Sequence, residues 1–188
     1  MSKEIRVALA GVGRGRAFLP AFGSHPDTRV VALCDPDEAR LAEVARETRD
    51  AALYTVYEKM LDEARPDAVV VATPMQYHAA HAIAALQRDI HVLCEVTAAV
   101  TLDEARWLVR ACRKSRAVYM MAENCNRYKS TMLVEAMVQA GLFGEVYYTE
   151  SEYLHPLPSL HHTPEGQPTW RSTATRTRRT AWGPACSG

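Results

Sequence analysis

Val7-Ala8-Leu9-Ala10-Gly11-Val12-Gly13-Arg14-Gly15-Arg16 is a short apolar strand running into a glycine-rich turn, ahead of a helix expected from about Ala17. A turn of this kind brings backbone N–H groups to a helix N-terminus, where they can hold a pyrophosphate, and only glycine lets the backbone come close enough. The spacing departs from the G-x-G-x-x-G pattern, because the third glycine is Gly15 and position 16 is arginine. A G-x-G by itself is as readily an ordinary tight turn.

The next strand separates those readings. Arg29 to Cys34 reads as a second strand, and it ends in Asp35, 24 residues past Gly11. That is close to the roughly 20 residues expected before the acid that binds an adenosine ribose. Asp35 also opens Asp35-Pro36-Asp37-Glu38, where it is expected to cap a helix from Pro36 to about Thr48; the two roles are compatible. A carboxylate at this point repels a 2′-phosphate, so NAD is favoured over NADP, which stays possible if Arg14, Arg16 or Arg40 turns inward. A methyltransferase also carries a glycine-rich first loop. It is disfavoured here because Leu9 stands where such enzymes usually place an acid, and because no helix precedes the first strand.

Further out, Ala68 to Ala72, Ile90 to Cys94 and Val118 to Ala122 are also short and almost continuously apolar, as strands covered by helices on both faces should be. Helical segments alternate with them. Thr101-Leu102-Asp103-Glu104 has the form of a capping box, and Ala105, Leu108 and Cys112 follow at the spacing of one buried helical face, predicting a helix to about Ser115. The pattern predicts an α/β fold, a Rossmann-type doubly wound parallel sheet. Lys+Arg and Asp+Glu are both 22 in 188 residues, so no net field recruits nucleic acid or an anionic membrane surface. No apolar run reaches the ~20 residues of a membrane span. The five cysteines are widely spaced with no C-x-x-C, the start leaves no room for a signal peptide, and a cytoplasmic protein with reduced thiols and a small-molecule partner is expected.

Two later segments carry further chemistry. Ala72-Thr73-Pro74-Met75-Gln76-Tyr77-His78 falls at the carboxyl end of a strand, where α/β proteins bind ligands, and His91-Val92-Leu93-Cys94-Glu95-Val96-Thr97 follows the next strand. With Gly11, Gly13 and Asp35 these motifs resemble the Gfo/Idh/MocA oxidoreductases, whose members show a glycine-rich loop, an acid after the second strand, a Thr-Pro-x-x-x-His segment and a Glu-Lys-Pro segment. The resemblance covers about Ile5 to Tyr153. It implies an NAD(P)-dependent enzyme passing hydride between nicotinamide and a sugar or polyol-like substrate, with homo-oligomeric full-length relatives. It assigns Gly11, Gly13, Arg14, Gly15, Asp35, Thr73, Pro74, His78, Glu95 and Asn124 to the cofactor. The departure is at the lysine of Glu-Lys-Pro, which is Val96 here, followed by Thr97; valine can neither give nor take a proton. Candidates for that missing role are Tyr128 and His155, with Glu123 nearby. A redox-assisted glycosidase and a non-catalytic dinucleotide-binding module are the alternatives.

Residues 1–123 are thus read as the Rossmann domain. Residues 124–188 are read as the incomplete start of an α/β substrate and oligomerisation domain, with a helix from about Ser130 to Ala140 closed by Gly141 and a strand from Glu145 to Tyr153. Residues after about Asn124 are expected to be poorly held. His155, His161 and His162 lack helical ligand spacing, so no metal is expected. His78 and His81 stand at i,i+3, which helix capping and surface exposure explain as well as ligation does. After Trp170 the chain is rich in Arg, Thr and Ala with no apolar period, and a slipped reading frame with a truncated product is the expectation. With suitable codons, Arg179 to Pro184 read one frame over gives His-Ser-Leu-Gly-Pro.

Overall fold

The computed structural model describes residues 4–48, 50–152, 161–163 and 165–173. They fall into two compact units; the described part of the first reaches Ala122, and the second begins at Glu123. The first unit contains β1 (Ile5–Ala10), α1 (Val12–Gly15), α2 (Leu19–Ser24), β2 (Thr28–Cys34), α3 (Glu38–Ala45), β3 (Ala52–Tyr54), α4 (Tyr57–Ala64), β4 (Ala68–Val71), α5 (His78–Leu86), β5 (His91–Cys94), α6 (Leu102–Lys114) and β6 (Tyr119–Met121). The strands form one sheet in the order β3-β2-β1-β4-β5-β6, every pairing parallel. This is a Rossmann sheet, and its order reverses between β1 and β4.

Successive residues of a strand face opposite sides, and β1 shows what that does here. Val7 and Leu9 pack on one face with Val12, Leu33, Leu41 and Val70. Ala8 and Ala10 lie on the other with Tyr57, Met60, Leu61 and Leu86, so small strand residues make room for large helical ones. The Tyr57 hydroxyl, fully buried, donates to the His81 carbonyl at 2.9 Å, which satisfies its polar end.

Several expectations need correction. The first helix starts at Val12, not Ala17, and passes through a 3-10 turn at Arg16–Phe18 before α2. Gly11 turns the chain at once, with φ of 83°, leaving no loop to cross. The helix after Asp35 is shorter than expected, Glu38–Ala45, and its cap is Asp37, whose carboxylate accepts the Arg40 amide; Asp35 is engaged elsewhere. The strand Ala52–Tyr54 has no counterpart in the sequence reading, because three residues are too few to show a period. The capping box at Thr101 and Glu104 forms as expected. His78 and His81 are not exposed: both are buried, His78 as the first residue of α5, where it closes the preceding 3-10 turn, and His81 one turn further on.

In the second unit, α7 (Lys129–Gln139) ends in a Schellman motif. Gly141, at φ of 72°, donates to the Val138 carbonyl, and Leu142 N–H donates to the Met137 carbonyl. Residues 145–152 form no strand, although their composition predicts one: a strand exists through a partner ladder, and these residues pair with none of the described backbone. The remainder of that expected strand, Tyr153, and His155 lie outside the described residues, as does the tail after Thr173. Among the described residues, no helix is long and apolar enough to cross a membrane, and no group of three or more His, Cys, Asp or Glu could hold a metal ion. Cys34 and Cys94 are buried free thiols, both pushed up to about 12, chiefly by burial.

Candidate functional site

The carboxyl ends of β1, β2, β4 and β5 bring together the glycine turn, Asp35, Thr73 and Glu95, at the point where strand order reverses and α/β sheets form a ligand crevice. Each glycine of the turn does a different job. A Cβ on Gly11 would lie 2.5 Å from the Ala72 carbonyl oxygen, so this position lets β1 approach the end of β4. At Gly15 a Cβ would sit 3.0 Å from the Leu9 side chain, so Gly15 allows close packing of helix on strand, the role of the third glycine in the longer fingerprint. A Cβ on Gly13 would make only ordinary contact, its nearest neighbours being Arg40 side-chain atoms at 3.6 Å and beyond, and this is the position at which a ligand can approach the backbone.

Hydrogen bonding narrows the donors that remain. Gly11 N–H donates to the Cys34 carbonyl at 2.8 Å, and Val12 N–H to Asp35 Oδ2 at 3.0 Å. Gly11 therefore shapes the turn but has no amide to offer a phosphate. Gly13 and Arg14, in the first helical turn, have no carbonyl partner within the helix and are the amides placed to meet one. Asp35 is buried; Oδ2 holds the turn, and Oδ1 accepts Asp37 N–H at 3.0 Å with Arg40 Nη1 at 3.6 Å. Each carboxylate oxygen keeps further acceptor capacity, so Asp35 can fasten the loop and still accept a hydroxyl.

On the other side of the crevice, Glu95 follows β5, is 6% exposed, and accepts Arg14 Nε at 2.8 Å. A carboxylate this buried needs such a partner. The Arg14–Glu95 pair thus joins the glycine turn to the end of β5. His78 has no ring nitrogen to spare: Nδ1 lies 2.7 Å from the Thr97 carbonyl oxygen and Nε2 2.6 Å from that of Thr73. It ties the end of β4 to the segment after β5. Thr73 Oγ1 is 3.1 Å from His81 Nδ1, and burial, with repulsion from His78 as the smaller cause, brings His81 down to about 3. Pro74 precedes the 3-10 turn Met75–Tyr77, in which Gln76 Oε1 is buried without a hydrogen-bond partner. Buried orphans of this kind call for a ligand or a water.

The set fits a dinucleotide: two amides for the diphosphate, a carboxylate for the ribose, and an open approach at Gly13. Asn124 and Tyr128 belong to the second unit, where Asn124 Nδ2 donates to Tyr128 Oη at 3.1 Å and Cys125 N–H to Glu123 Oε1 at 3.0 Å. Sequence reasoning missed the Arg14–Glu95 pair, 81 residues apart, and the two-carbonyl clasp of His78, since neither leaves a local pattern.

Comparison with known proteins agrees with this geometry. The family described as "Oxidoreductase family, NAD-binding Rossmann fold" matches residues 5–123. A glycosyl hydrolase family 109 protein of Saccharopolyspora erythraea is 35% identical over 168 residues, 84% of this chain and 37% of that protein. The WlbA dehydrogenase of Bordetella pertussis, solved with NADH and UDP-GlcNAcA, is 27% identical with a TM-score of 0.73, over 77% of this chain and 45% of that one. A dehydrogenase of Chromobacterium violaceum is 31% identical with a TM-score of 0.71, covering 77% and 43%. The chain spans little more than a third of the length of that curated relative. With the turn, the acid after β2, the Thr-Pro-x-x-x-His segment and the buried glutamate all on one crevice, the chain belongs to the Gfo/Idh/MocA family of NAD-binding oxidoreductases.

Proposed function

We propose that residues 1–123 are the NAD-binding domain of an oxidoreductase that moves hydride between nicotinamide and a sugar or polyol-like alcohol in the cytoplasm. Residues 124–188 begin its substrate and oligomerisation domain. The observation that carries this reading is the crevice at the β1/β4 reversal, with Gly13 open on one side and the buried Glu95, held by the exposed Arg14, on the other. Bound there, the nicotinamide supplies or takes up the hydride. Gly13 and Arg14 amides hold the diphosphate, and Asp35 accepts a ribose hydroxyl. Glu95, fixed by Arg14, keeps an oxygen for the ribose at the reacting end. His78 keeps the two loops in register.

Oxidising an alcohol also needs a group to take its proton, and the first unit offers none at the usual place. Val96 has no proton to exchange, both His78 nitrogens face carbonyls, and His81 is neutral and buried near neutral pH. The proton carrier therefore comes from elsewhere; Tyr128 and His155 are our candidates. We expect this chain to bind NADH but to turn over no sugar by itself. Titration of NADH followed by a panel of sugars and polyols tests both halves. No NADH binding would sink the reading, whereas binding with no turnover fits both this chain as one part of an enzyme and a non-catalytic binding module.

A second reading has its own support. Val96 departs from the dehydrogenase motif, and the Saccharopolyspora relative is named a glycosyl hydrolase family 109 protein. A redox-assisted glycosidase predicts release of an aryl aglycone that requires added NAD yet leaves its total unchanged. A protein of the relatives' full length that carries this domain is the material for that assay.

A further inference from the structure

Three arginines surround the glycine turn, and each is already paired: Arg14 with Glu95, Arg16 with Glu43 and Glu47, and Arg40 with Asp35 and Asp37. Arg40 is the one beside the ribose carboxylate. Its Nη1 lies 3.6 Å from Asp35 Oδ1 and its Nη2 3.1 Å from Asp37 Oδ2, and a Cβ on Gly13 would meet its Cδ at 3.6 Å. The side chain is half exposed, so it forms part of the mouth of the crevice.

We propose that Asp37 is a specificity-determining residue: by holding Arg40, it withholds from a 2′-phosphate the guanidinium beside Asp35, and so makes the site reject NADP(H). The inference rests on reading the glycine turn and Asp35 as the nucleotide site. Two carboxylates against one guanidinium leave the cluster negative, and a phosphate entering it meets net repulsion. An arginine at this position would otherwise be a good phosphate receptor, with its planar fork of donors. Selectivity here combines an attractive group for the hydroxyl with a restrained one for the phosphate.

The two oxygens of Asp37 make the idea separable from folding. Oδ1 caps α3 by accepting Arg40 N–H at 3.0 Å, while Oδ2 pairs with the guanidinium. Asparagine and serine cap about as well as aspartate but carry no charge. The test titrates NADH and NADPH into the 188-residue chain by nicotinamide fluorescence, for the parent, Asp37→Asn, Asp37→Ser, Arg40→Gln and Asp37→Asn/Arg40→Gln. The parent should prefer NADH. Both Asp37 variants should tighten NADPH by about tenfold with NADH nearly unchanged, and adding Arg40→Gln should return NADPH to the parental level. NADPH affinity unmoved by both Asp37 variants, or a gain that survives loss of Arg40, overturns the proposal. A parent that binds neither coenzyme overturns the nucleotide site itself. A parent that binds NADH while the Asp37 variants leave the preference unchanged overturns the role of Asp37 alone.

Discussion

Asp35 accepts from Val12 N–H and Asp37 N–H, so its removal strands two donors as well as a ribose contact. Asp35→Ala should lower stability by about 1–3 kcal/mol and weaken NADH together, read by urea unfolding and fluorescence titration. Loss of NADH binding at unchanged stability would contradict the fastening role. Gly11→Ala forces a Cβ to within 2.5 Å of a backbone oxygen at a φ of 83°; a cost of about 2 kcal/mol or more is expected in the same melts. His81 sets a pH dependence. Its ordinary value is 6.5 and the fold lowers it to about 3, so between those values the unfolded chain binds a proton that the native state refuses. Stability should fall as pH drops below about 6.5, by at most about 1.4 kcal/mol per unit from this group. His81→Gln should flatten that slope, and an unchanged slope would count against the assignment. The site was legible where chemistry is local: the glycines and Asp35 could be named from spacing, and Thr73 and Glu95 from the motifs that carry the family resemblance. It was illegible where partners are distant, as for Arg14 with Glu95, or where function hides in burial, as for His78.

Elements with a chemical start signal were the readable ones. Thr101 and Glu104 announce α6, and Thr101→Ala should cost about 1 kcal/mol while Thr101→Ser costs little, by thermal melts. Gly141 announces the end of α7 by the same logic. Elements set by tertiary pairing were not readable. Three-residue β3 is a strand because β2 lies beside it, with Leu33 opposite Leu53. The stretch from Glu145 has Val146, Tyr147 and Tyr148, all favourable in strands, and still forms none in the described residues, because propensity cannot supply a neighbour.

At the scale of the whole molecule the two units differ in how their apolar residues are used. The first buries continuous cores on both faces of its sheet, whereas Met132, Leu133, Val134 and Val138 of α7 are exposed. Amide exchange should therefore be slowest in β1, β2 and β4 and fastest in α7, and saturating NADH should slow the first unit further, by about 2.7 kcal/mol at a hundredfold excess over Kd. Uniform exchange across both units would refute this. The central place of β1 also bears on how the chain is made. On the ribosome, residues 5–10 emerge well before residues 68–71, and until those follow their second flank is not covered. For that interval the nascent chain carries a bare sheet edge at its middle, the kind of surface on which newly made chains stick to one another. Slowing translation between those two segments should lower the soluble yield, whereas a pause after residue 121 should leave it unchanged.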